Sequence, residues 1–112
     1  MTWGDLGVGS LDDPRVQWDG GRYTGKLPVP LVSLGCLHLF GIVEAAGILK
    51  RKYGGKDLVW GGTGARLKRD EILEFLRGFE SMDISAEWRR NAIQQVMKLK
   101  PDKVYLLYAY ES

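Results

Sequence analysis

Between Leu31 and Leu49 the chain reads LVSLGCLHLFGIVEAAGIL, and Lys50, Arg51 and Lys52 follow at once. No other stretch restricts the fold as strongly. A bilayer core asks for about 20 mostly apolar residues in a helix, and residues 30–49 supply that length. A helix in the core of a small domain would carry a polar stripe. Here the strongly polar side chains are His38 and Glu44, which define none. Gly35, Gly41 and Gly47 point the same way. Inside an ordinary helix each would cost roughly 0.8–1 kcal/mol relative to Ala. In a membrane helix they let neighbouring helices approach closely. The flanks agree. Lys50, Arg51, Lys52 and Lys56 cluster after the stretch, while residues 1–26 carry four Asp against three basic side chains. That asymmetry follows the positive-inside pattern and favours an N-out, C-in span.

Two residues weigh against a span. Glu44 at a bilayer centre costs about 2.5–3.5 kcal/mol on insertion scales, priced like a central Asp. His38 adds to that cost. The aliphatic and aromatic residues return about 0.3–0.6 kcal/mol each. The balance is marginal for a lone helix, so a spanning helix here would need partner helices to shelter Glu44. The alternative is a helix buried at the centre of a small α+β domain.

The rest of the chain is read from its punctuation and periods. Residues 1–30 read as an irregular arm broken by glycines, with a short hairpin at VQWDGGRYT turning at Asp19-Gly20. Pro28 and Pro30 impose an extended entry to the apolar stretch. Residues 31–53 read as one helix ended by Gly54-Gly55. DLVW suggests a brief strand and GGTG a loop. Residues 65–80 read as an amphipathic helix, with Leu67, Ile72, Phe75, Leu76 and Phe79 on one face. Residues 85–99 form another, capped by Ser85, with Trp88, Ala92, Ile93, Val96 and Leu99 aligned. KVYLLYAYES is apolar or aromatic on both faces and reads as a strand or packed extended segment. The predicted fold class is therefore mainly α. It has one transmembrane helix, two amphipathic helices in a basic extramembrane region over 54–112, and an extended aromatic end.

No constellation names a reaction. Cys36 and His38 are the sole Cys and His, too few for a disulfide or a zinc set. GGTGAR lacks the Lys-Ser/Thr of a phosphate loop, and Leu67 stands where a dinucleotide fingerprint needs Gly. That segment reads as a turn, with Thr63 or Asp70 capping the helix after it. His38 and Glu44, six residues apart, are not stacked on a helix and form no ready acid–base pair. Arg89, Arg90, Asn91 and Gln94 are of the types that read base edges, yet ESMDIS gives no tight helix-turn-helix signature. A net charge of +2 does not call for nucleic acid either. Asp5, Asp12 and Asp13 come too early for a mitochondrial presequence, and no basic residue precedes an apolar run as in a secretory signal. Any membrane or organelle address would be internal, or carried by a presequence already removed.

The order of an apolar span, basic residues leading to Gly54-Gly55-Lys56, Trp60, and a charged helix start at Arg66, Lys68, Arg69 and Asp70 resembles the MWFE-type single-span accessory subunits of respiratory complex I. The resemblance covers residues 31–71. It departs from the family in the 26–30 residues before the span and the roughly 40 after the matched region. It implies a small non-catalytic subunit bracing a mitochondrial inner-membrane complex. The first expectation is thus an accessory subunit acting in assembly and stability, with no cofactor. Gly35, Gly41 and Gly47 would pack on partner helices, and the basic flank would meet lipid headgroups. The second is an α+β protein-binding module of the inhibitor or immunity type.

Overall fold

The computed structural model describes residues 3–12, 17–19, 22–23, 30–58, 61–82 and 84–111. The elements run β1 (Trp3–Ser10), β2 (Trp18–Asp19), β3 (Arg22–Tyr23), β4 (Pro30–His38), α1 (Leu39–Lys52), β5 (Lys56–Asp57), β6 (Thr63–Lys68), α2 (Arg69–Gly78), α3 (Ala86–Val96) and β7 (Val104–Glu111). Five strands form an antiparallel sheet in the order β4-β1-β7-β6-β5, and β2 pairs with β3 in a separate hairpin. The fold class is α+β, not mainly α. Among the described residues no helix is long and apolar enough to cross a membrane. The single-pass membrane reading, and the mitochondrial inner-membrane location built on it, are therefore overturned.

The physical reason lies in residues 31–49. They are a strand followed without a loop by a helix, so neither period runs through the whole stretch. In β4 the buried positions are Val32, Leu34 and Leu37, an alternation that skips one residue. The skip is a β-bulge. Leu6 faces Gly35 and Gly7 faces Ser33, which leaves Leu34 without a partner of its own. Gly35 has φ +114°, a backbone conformation that side chains rarely permit. The extra residue resets the phase so that Leu37 also points inward. From Leu39 the buried positions become Gly41, Ile42, Ala45 and Leu49, a helical stripe. Gly35 is thus a bulge residue rather than a helix-packing one.

One face of the sheet carries all three helices. Leu6 and Val8 of β1, Ala65 and Leu67 of β6, and Tyr105, Leu107 and Ala109 of β7 pack against Ile42, Leu49, Ile72, Phe75, Leu76, Ala92 and Val96. On the opposite face Leu106 and Tyr108 cluster with Leu58. The arm read as irregular contains β1, whose apolar Leu6 and Val8 alternate with glycines. Gly7 faces Tyr108 across the β1–β7 ladder. A Cβ on Gly7 would lie 2.5 Å from the Tyr108 Oη and 2.7 Å from its Cζ, so the ring crosses the strand where only glycine leaves room. The pairs Trp18↔Tyr23 and Asp19↔Arg22 form the short hairpin around the Asp19-Gly20 signal. Gly20 itself lies outside the described residues, as do Pro28, Val59 and Trp60.

The two later helices follow their apolar stripes, with one shift. Residues 65–68 belong to β6, and α2 starts at Arg69, where the Glu71 carboxylate accepts from the Lys68 N–H at 3.0 Å. Leu67 suits either period, which is why the helix pattern absorbs it. Ser85 caps α3 by accepting from the Trp88 N–H at 3.0 Å. An aromatic series ties the helices together. Tyr53 meets Phe75 edge-on at 6.2 Å, Phe75 stacks on Phe79 at 5.3 Å, and Phe79 meets Trp88 edge-on at 6.3 Å.

Gly7→Val should cost about 1–3 kcal/mol by overpacking against Tyr108. Gly78→Ala, with nothing within 4 Å of the new methyl, should stay within about 0.5 kcal/mol of wild type. Urea unfolding of both variants checks this, and equal midpoints would mean that the ring yields freely.

Burial, then the 2.7 Å hydrogen bond that Tyr53 donates to Glu74, pushes the Tyr53 phenol up to about 12. Burial, with the Asp5 carboxylate adding, takes Tyr108 to about 12 as well. Both phenols hold their protons more tightly folded than unfolded, where the value is near 10. The stability they contribute is complete below pH 10 and is lost as pH rises through 10 to 12. Stability measured across that window should fall, and Tyr53→Phe should reduce the slope by about half. An unchanged slope in the variant would show that Tyr53 does not contribute.

Candidate functional site

Where β4 hands over to α1 the chain exposes apolar side chains. His38 is the N-cap of α1, and its Nδ1 accepts from the Phe40 N–H at 3.4 Å. The two rings stack with centroids 5.3 Å apart. This contact holds Phe40 outward, 74% exposed, and Val43 one turn on is 56% exposed. Across from them, just past α2, Met82 is fully exposed at 100%. Between the two lies a cavity of about 390 Å³ lined by His38, Phe40, Glu44, Glu80, Ser81 and Met82.

The structure therefore brings His38 and Glu44 into one lining, at a strand–helix junction and not along a membrane-crossing helix. Their six-residue separation crosses a strand–helix junction, so helical geometry does not govern it. Glu80, Ser81 and Met82 were not singled out in the sequence. The one signal for them is a large apolar residue, Met82, set among the polar Glu80, Ser81 and Asp83 of the ESMDIS link. The lining has the polarity of a contact surface more than of a reaction centre. His38 is occupied by its cap, and Glu80 accepts from the Arg89 Nη2 at 3.0 Å. Among the described residues no group of three or more His, Cys, Asp or Glu could hold a metal ion.

The other residues singled out in the sequence have separate places. Gly41 is buried in the first turn of α1, and Gly47 lies partly exposed on its outer side. Lys50, Arg51 and Lys52 occupy the last turn of α1, where cations suit the dipole, and Lys50 pairs with Asp57 at 2.6 Å. Lys56 is exposed in β5. GGTGAR does not open a helix. Gly61 and Gly62 turn the chain with positive φ and Thr63 begins β6. The phosphate-cradle geometry is absent there, and neither Thr63 nor Asp70 is the N-cap, which is Lys68. Cys36 is exposed on β4.

Arg89 does not reach outward to read bases. Its guanidinium donates to the carbonyls of Leu76 and Arg77 and pairs with Glu80, closing the C-terminal end of α2. No protein-family model, curated protein or solved structure matches this chain significantly.

Arg89→Ala should lower stability by about 1.5–3 kcal/mol, because the α2 carbonyls lose a charged donor. Arg90→Ala, at an exposed position, should change it by less than about 0.5 kcal/mol. Chemical denaturation of both variants checks this, and a neutral Arg89→Ala would show that water satisfies those carbonyls equally well.

Proposed function

We propose that this chain is a non-catalytic protein-binding module, with the outer side of α1 and the adjoining cavity as its contact surface. The observation that carries this is the grouping of large apolar side chains held in solvent. Phe40 and Met82 stand 74% and 100% exposed across one cavity, and Val43, one turn on from Phe40 outside that lining, is 56% exposed. Scattered single exposed hydrophobics need no explanation, but a group around a concavity marks an interaction site. Glu44 and Glu80 supply a charged rim, the arrangement of apolar centre and polar edge that protein contacts use. The α+β class belongs to the second of the two sequence expectations. Of the first, only the binding role is kept, since the helix that would have crossed a membrane is half strand.

A photo-reactive residue placed at Phe40 or Met82 in the expressed chain should give covalent adducts with protein upon illumination. The same residue at Gln94, exposed on α3, should give at least about ten-fold less. Adducts from all three positions alike, or from none, would overturn the assignment.

A further inference from the structure

The outer side of α1 carries a charge order that fits itself. At 3.6 residues per turn, Phe40, Glu44, Gly47 and Arg51 fall within an arc of about 60°. That arc lies opposite Ile42, Ala45 and Leu49, which are buried. Glu44 and Arg51 stand about 10 Å apart along the axis. Lys50, beside them, is paired with Asp57 at 2.6 Å. Among the described residues Glu44 and Arg51 make no ion pair. Between them sits Gly47, with the Arg51 guanidinium 2.9 Å from where a Cβ would stand. The face thus has an uncompensated acid and an aromatic ring toward one end and an uncompensated base from the other, whose guanidinium lies back over the bare Gly47 position at the middle.

We propose that this face binds a second copy of the chain, the two α1 helices lying antiparallel about a two-fold axis beside Gly47. Glu44 of each copy then meets Arg51 of the other. A two-fold contact sets residue i against j and j against i, so a surface with acid at one end and base at the other is self-complementary in this orientation alone. Parallel helices in register would set like charges together. As the Arg51 guanidinium turns from above Gly47 to Glu44 of the other copy, Gly47 at the crossing lets the backbones approach to about 8–10 Å between axes. Phe40 of each copy comes level with the turn after α1 in the other, where Gly54 has open space around it. Burial of Phe40 and Val43 drives association, and the ion pairs fix direction.

This proposal rests on the reading of α1 as a contact surface, and the test separates the two. Molar mass is measured by sedimentation over a range of concentrations at low salt, where exposed charges are least screened. Wild type should form a dimer. Glu44→Arg alone and Arg51→Glu alone should each dimerise at least about ten-fold more weakly, as like charges then oppose each other. An equimolar mixture of these two variants should give a heterodimer, because one carries two bases where the other carries two acids. The chain with both substitutions should dimerise again. Recovery in the mixture shows that each variant is folded. A wild type that stays monomeric throughout, or single variants that dimerise like wild type, would overturn the second-copy assignment. If photo-crosslinks to another protein still form from Phe40 in that case, the binding-module reading stands without it.

Discussion

Strand β7 must be hidden on both sides, and the rest of the molecule is arranged to satisfy that demand. Tyr105, Leu107 and Ala109 face the helices, while Leu106 and Tyr108 face the other way. A segment with no polar face is stable only between two neighbours and between two layers. β1 and β6 supply the neighbours. The helices close one side, and Leu58 with its surroundings closes the other. The glycine at position 7 follows from the same demand, because a Tyr108 ring lying flat across β1 leaves no room for a side chain there.

The helical layer answers to a second constraint, the need to tie three short helices into one unit. α2 and α3 contribute Phe75, Phe79 and Trp88, and Tyr53 extends this aromatic series to the end of α1. Arg89 joins α2 and α3 from the outside by occupying the α2 carbonyls. The fixed layer leaves the outer side of α1 free of packing duties, which is why its residues can differ in character from the core. The exposed Phe40 keeps its place through a contact with His38, itself set by the helix cap.

Sequence made some of this legible, for physical reasons that can be named. The stripes of Ile72, Phe75, Leu76 and Phe79 and of Trp88, Ala92 and Val96 are regular, and both mark true helices. The doubly apolar final segment is a strand. The errors gather where two periods meet without a turn between them. β4 passes into α1 at His38 and β6 into α2 at Lys68, so no Gly or Pro separates strand from helix. The bulge at Leu34–Gly35 then removes the alternation that would have identified β4. β1 is concealed because Gly4, Gly7 and Gly9 interrupt its apolar alternation, leaving only Leu6 and Val8 to mark it. At the candidate site, His38 and Glu44 stood out as polar residues in apolar company. Glu80, Ser81 and Met82 became relevant through tertiary proximity alone.

The pairing of β1 with β7 has a kinetic consequence. Gly4 faces Glu111 and Ser10 faces Tyr105, so the middle of the sheet joins segments about one hundred residues apart. At synthesis rates of about 5–20 residues per second, β1 leaves the ribosome roughly 5–20 s before its central partner exists. During that interval it has β4 on one edge and nothing on the other. A strand with three glycines in eight residues is poorly suited to recruit the wrong neighbour, since it offers few side chains to a competing sheet. Gly7, which admits the Tyr108 ring in the finished protein, is thus also one of the positions at which the waiting strand offers no side chain to a competitor.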